Sequence, residues 1–168
     1  MRVYVPVTST MLRSLLDSGA VGPAPITAFA VTPELREWYV DDDSEELEYA
    51  ATLEAARGSL RLIDSDPRAA RRRVVLAADV PDEAVTVRDD LDRGVVRVAV
   101  PVPLGAIAAV HADDADAEAT VAAAAEAIIA ADLGDASSQD AVDDAEGYDL
   151  SWYANQEIAD LLADMEPR

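Results

Sequence analysis

The sequence predicts an α/β fold, with α+β as the neighbouring possibility: a mixed β-sheet of about five or six strands with helices packed on it. Three observations lead there. Short β-branched runs alternate with stretches of helical periodicity. Slightly over half of the 168 residues are apolar, enough to build a core. That length suits one domain, which should bury roughly 70% of its unfolded surface. Residues 1–168 are therefore expected to form a single globular domain, with an acidic mobile loop over 132–149.

Arg2 to Val7 alternates and is rich in valine, as a strand requires. Thr8, Ser9 and Thr10 offer capping oxygens to a helix carrying Met11, Leu12, Leu15 and Leu16, which Gly19 stops. After the loop Gly22 to Pro25, Ile26 to Val31 reads as a second strand. Thr32-Pro33-Glu34 starts a short helix ending near Trp38 and Tyr39: threonine caps, proline occupies the first turn and glutamate meets the positive end of the dipole. Asp41 to Ser44 breaks that helix and caps a longer one. Its expected buried stripe is Tyr49, Leu53, Ala56, Leu60 and Ile63.

Arg73 to Ala78 is nearly continuous in apolar side chains after its arginine, so it reads as a central strand covered on both faces. Val85 to Val87 and Val95 to Val100 read as strands joined by the polar turn Asp89 to Gly94. Ile107 to His111 is one more strand. Asp113, Asp114, Asp116 and Glu118 suit a helix's first turn, and Val121, Ala124, Ala125 and Ile128 its buried side. Asp149 or Ser151 is expected to cap a last helix with Ala154, Ile158, Leu161 and Met165 as its apolar positions.

Charge narrows the function. The net charge is -21, no lysine occurs, and twelve of the thirteen arginines lie within residues 1–97. Residues 98–167 contain sixteen acids and no base. Such a surface repels phosphate backbones and anionic membranes, so neither nucleic acid nor membrane is an expected partner. A basic protein partner is the expected complement. The chain has no cysteine and the N-terminal stretch lacks the charged-then-apolar pattern of a signal peptide, which together suit a cytoplasmic protein.

No glycine-rich nucleotide fingerprint, phosphate loop, zinc helix or nucleophile elbow occurs. One histidine and no cysteine exclude an ordinary zinc site, and the runs Asp41-Asp42-Asp43 and Asp113 to Asp116 lack calcium-loop spacing, so no metal or other cofactor is expected. His111 is the one side chain titrating near neutrality, and Asp113 or Asp114 beside it is positioned in sequence to orient its ring. Arg36 and Asp113 join it as candidate catalytic residues. Two Trp-Tyr pairs, Trp38-Tyr39 and Trp152-Tyr153, are candidates for a ligand-binding wall, the second with polar neighbours Asn155, Gln156 and Glu157. Arg36 is the expected cation for an aromatic face. The basic run Arg68 to Arg73 is expected to offset the acidic surface at the start of the central strand.

The segments Val3 to Pro6, Ala28 to Tyr39, Arg72 to Pro81, Ala109 to His111 and Trp152 to Glu157 resemble an actinobacterial family of small proteins with no assigned activity. The resemblance implies no substrate, cofactor or catalytic residue. The leading functional expectation is a non-enzymatic interaction or regulatory module with an acidic surface. The alternative is a small-polar-ligand-binding protein or enzyme whose pocket lies at strand ends near His111, formed with Arg36, Trp38, Trp152 and Gln156.

Overall fold

A computed structural model describes residues 1–39 and 43–166. In chain order the elements are β1 (Arg2–Val7), α1 (Ser9–Ser18), β2 (Ala20–Val21), β3 (Ile26–Phe29), α2 (Pro33–Trp38), α3 (Ser44–Asp64), β4 (Val74–Asp79), β5 (Val85–Val87), β6 (Val95–Val98), β7 (Val102–Pro103), β8 (Ile107–Ala112), α4 (Glu118–Asp132), α5 (Ala136–Glu146), β9 (Ser151–Tyr153) and α6 (Ile158–Met165). Seven strands form one sheet in the order β5-β6-β3-β1-β4-β8-β9, and β2 pairs with β7 apart from it. The α/β architecture matches the expectation, with every pairing antiparallel.

The alternation of side chains along each strand sorts the core into two faces. On one face Val3, Val5, Val7 and Leu76 pack with Leu12 and Leu15 of α1 and Leu161 of α6. On the other, Tyr4, Phe29, Val75 and Ala77 meet Ala51, Ala55 and Ala56 of α3. A third layer follows beyond α3, where Leu60 and Ile63 pack on Val121 and Ile128 of α4 and Val142 of α5. Helix α3 is thus sandwiched between the sheet and two further helices. Gly58 permits its close seating: a Cβ there would lie 3.0 Å from Pro6 Cγ and 3.3 Å from Phe29 Cε2. Next to it, buried Ser59 donates to Val7 O at 2.8 Å and accepts from Val74 N at 3.1 Å, tying the helix to β1 and β4.

Local signals behave as the sequence suggests at the first elements. Thr8 Oγ1 accepts from Met11 N, Thr32 Oγ1 accepts from Leu35 N, and Gly19 takes a φ of 85° at the end of α1. Asp43 caps α3; Asp41 and Asp42, expected to share that role, lie outside the described residues.

Several expectations are corrected. Residues 136–146 are helix, not loop: Asp135 Oδ2 accepts from Ser138 N at 2.9 Å, and Val142 and Ala145 bury against α4. Ser151 does not cap the last helix, because Ser151 to Tyr153 pair with β8 as an edge strand. The last helix instead follows a 3-10 turn over Asn155–Glu157, where Glu157 Oε1 accepts from Ala154 N at 2.8 Å. Tyr49 is not on the buried stripe of α3: it is 57% exposed, and Leu47, Ala51 and Ala55 are buried instead. The reason is that α3 has neighbours on two sides, so no single narrow stripe describes its contacts.

The basic run is not a solvated patch. Arg71 donates to Ile63 O and Asp66 O, closing the C-terminal end of α3. Arg72 and Arg73 are 2% and 1% exposed. Arg72 donates to Asp113 O at 2.9 Å and to Asp164 Oδ2 at 3.0 Å. Arg73 makes a two-pronged pair with fully buried Asp113, Nε to Oδ2 and Nη2 to Oδ1, both 2.8 Å. Asp113 Oδ2 also accepts from Arg73 N at 2.7 Å. A buried charge is tolerated when it is paired and hydrogen-bonded in this way.

Candidate functional site

A cavity of about 450 Å³ opens on the α3 face of the sheet, beside the strands that α3 leaves uncovered. Its floor is small: Ala77 of β4 and Ala109 of β8 are register partners, and their methyl groups leave depth where larger residues would fill it. Tyr4 and His111 extend the floor to either side. One wall is α3, through Glu48, Tyr49, Thr52 and Leu53. The segment Tyr148 to Leu150 also lines it, as does Trp152, which is 62% exposed.

Pairing of β8 with β9 brings His111 and Trp152 together as direct cross-strand partners. Arg73 fixes the Tyr148 segment by donating from Nη2 to Tyr148 O at 3.1 Å. The buried Arg73–Asp113 pair thus supports the cavity from beneath. Arg2 reaches the rim with its guanidinium already held by Asp79, at 2.7 and 3.0 Å.

Burial, and then the positive charge of Arg2, hold the His111 imidazole below its ordinary pKa, so the neutral ring is favoured. Neither expected carboxylate orients it. Asp113 is consumed by Arg73, and Asp114 accepts from Ser151 Oγ at 2.8 Å and from Tyr153 OH at 3.4 Å. The expected His111–Asp113 arrangement is therefore corrected. Burial also pushes the Tyr4 phenol up, with Glu48 acting in the same direction, so it stays protonated as a hydrogen-bond donor.

A histidine whose folded pKa is depressed leaves the unfolded chain binding more protons in the window between the folded and ordinary values. Above the ordinary imidazole value of about 6.5 the ring is neutral in both states, and stability is lost progressively as the pH falls from there to the depressed folded value. His111→Gln should therefore gain in melting temperature relative to the parent between pH 7.5 and 5. Parallel melting curves across that range would contradict the burial of the ring.

The remaining sequence candidates separate. Arg36, Trp38 and Tyr39 do not line this cavity. Trp38 carries the guanidinium of Arg93 over its ring at 3.6 Å from the centroid. Tyr153 points to the α6 side of the sheet. Asn155 Nδ2 donates to Leu104 O and Ile107 O, Glu157 closes its own turn, and Gln156 is exposed. Among the described residues no three histidine or carboxylate side chains cluster with metal-binding geometry. No described helix is long and apolar enough to cross a membrane.

Sequence reasoning missed Glu48, Tyr49, Thr52, Tyr148 and Asp149. The available signal was Tyr49, an aromatic residue two positions after Leu47 and so on a different helix face.

The match to known proteins covers this whole arrangement: the model of the Family of unknown function (DUF6912) matches residues 1–162. The chain belongs to that family. No curated protein matches it, and no solved structure does. Membership in DUF6912 thus brings no substrate or residue role with it, and the cavity has to be judged on its own chemistry.

Proposed function

We propose that the protein binds a small polar ligand in the cavity between α3 and strands β4, β8 and β9. The single observation that carries this reading is the cavity itself. Its volume of about 450 Å³ lies within the roughly 300–1,000 Å³ range of small-molecule sites. Aromatic rings at its rim and a few polar groups in its floor match the usual composition of such sites.

Binding is favoured over acid–base catalysis. Among the described residues His111 has no hydrogen-bonded carboxylate or nucleophile, and Thr52 Oγ1 donates to Glu48 O within its own helix. Ligand binding is also favoured over docking on a basic protein. Arg57, Arg61, Arg72 and Arg73 already engage Glu146, Asp132, Asp164 and Asp113, so part of the acidic half is met by bases of the same chain.

The test is a fragment screen read on the two tryptophan indole N–H signals. Trp152 should respond to bound fragments, while Trp38 serves as the internal control. Ala109→Leu fills the cavity floor and should abolish that response with the fold retained. A screen in which no fragment moves the Trp152 signal, or in which Ala109→Leu leaves binding intact, would dismiss the reading.

A further inference from the structure

The charges around the cavity are unequal in a way that selects a ligand class. Both guanidiniums that reach it are already committed: Arg2 pairs with Asp79 and Arg73 with Asp113, each through two nitrogens. The two carboxylates that line it are held in no hydrogen-bonded pair, although Glu48 is near enough to Arg2 to act on it through its charge. Glu48 and Asp149 have no ion pair or side-chain hydrogen bond among the described residues. They come from separate segments, Glu48 from α3 and Asp149 from the stretch after α5.

The same cavity is lined by three aromatic rings from three separate segments: Tyr49 on α3, Tyr148 after α5 and Trp152 on β9. Tyr49 and Trp152 are 57% and 62% exposed. Large rings left in water on different elements yet facing one cavity are not explained by core packing. Aromatic faces carry negative potential and attract cations, most strongly when the cation is poorly hydrated. A net charge of -21 on the whole chain adds a long-range field of the same sign.

Resting on the ligand-binding reading above, we propose that the ligand is a small organic cation, its charged group lodged among Tyr49, Tyr148 and Trp152 and balanced by Glu48 and Asp149. The ring faces would select a diffuse charge, such as a quaternary ammonium or guanidinium group, over a strongly hydrated metal ion. The alanine floor would take the apolar remainder of the molecule.

The experiment uses three probes of similar size on the full chain: benzyltrimethylammonium, benzyl alcohol and phenylacetate. Binding is followed by the Trp152 indole signal, with Trp38 as control. Benzyltrimethylammonium should bind about tenfold or more tightly than phenylacetate. Trp152→Ala, followed by titration calorimetry because it lacks the reporter ring, should weaken it about tenfold, and Glu48→Gln severalfold, with benzyl alcohol unaffected by Glu48→Gln. Raising the salt concentration should weaken the cation alone.

Tighter binding of phenylacetate or benzyl alcohol would overturn the cation class while leaving the cavity as a ligand site. A cation response spread over the acidic surface, without Trp152 or without loss in Glu48→Gln, would overturn it too. Binding of none of the three would do the same, and the fragment screen then decides separately whether the cavity takes any ligand.

Discussion

Asp113→Ala is expected to destabilise the protein by about 3–5 kcal/mol, the cost of leaving a buried charge without its partner. The pair it breaks is almost fully removed from water, with Arg73 1% and Asp113 0% exposed. Both oxygens of Asp113 accept from the guanidinium, and Oδ2 accepts from the Arg73 backbone as well. Against a typical unfolding free energy of about 5–15 kcal/mol this is a large fraction. The double variant Arg73→Met with Asp113→Asn removes the orphaned charge and keeps an acceptor for the backbone N–H. It should be more stable than Asp113→Ala alone, as urea unfolding would measure. A double variant no better than the single one would mean that the loss is one of packing and not of charge. Because Arg73 also holds Tyr148 O, Asp113→Ala should loosen the cavity wall and broaden the Trp152 indole signal.

Gly58→Leu carries the second large effect, a loss of about 2–3 kcal/mol from overpacking. The position lies within α3 and faces Pro6 of β1 and Phe29 of β3, with only 3.0–3.3 Å for even a Cβ. Gly58→Ala is the informative companion. Alanine gains about 1 kcal/mol in helix propensity over glycine, which offsets the small shift its methyl requires. The pair of variants should therefore diverge: alanine close to the parent, leucine strongly destabilised. Equal stability of the leucine variant would show that α3 is not seated on the sheet at this point. Displacement of α3 would also move Glu48 and Tyr49, so ligand binding should fall with stability in the leucine variant.

The parts of the fold legible in the sequence are those whose signal is local. Strands β1 and β4 announce themselves by valine-rich runs, β3 by the β-branched pair Ile26-Thr27, and α1 and α2 by threonine caps placed three residues before the amide they receive. The buried positions of α4 follow the same way from Val121, Ala124, Ala125 and Ile128. Helix α5 escaped because its sequence ASSQDAVDDAE is acidic and small, with Val142 and Ala145 as its only buried residues. Its acidity read as solvation and loop, whereas two apolar contacts against α4 and a capping aspartate suffice in context. Strand β9 escaped because three residues carry too little pattern to distinguish an edge strand from a helix start.

The candidate site divides along the same line. His111 and Trp152 stood out by residue type, and β8–β9 pairing joins them; Arg36 and Trp38 stood out equally and are elsewhere. Local sequence could establish that the chain alternates strands and helices around an apolar core and that twelve of its thirteen arginines lie within residues 1–97. Only the tertiary structure decided that Arg72 and Arg73 are interior, that Asp113 belongs to Arg73 and not to His111, and that Glu48, Asp149 and three aromatic rings line one cavity. The physical reason is range. Caps and periodicity act within a few residues, while the partner of Arg73 lies 40 residues away and the cross-strand partner of His111 is Trp152, so neither can be recognised before the chain has folded.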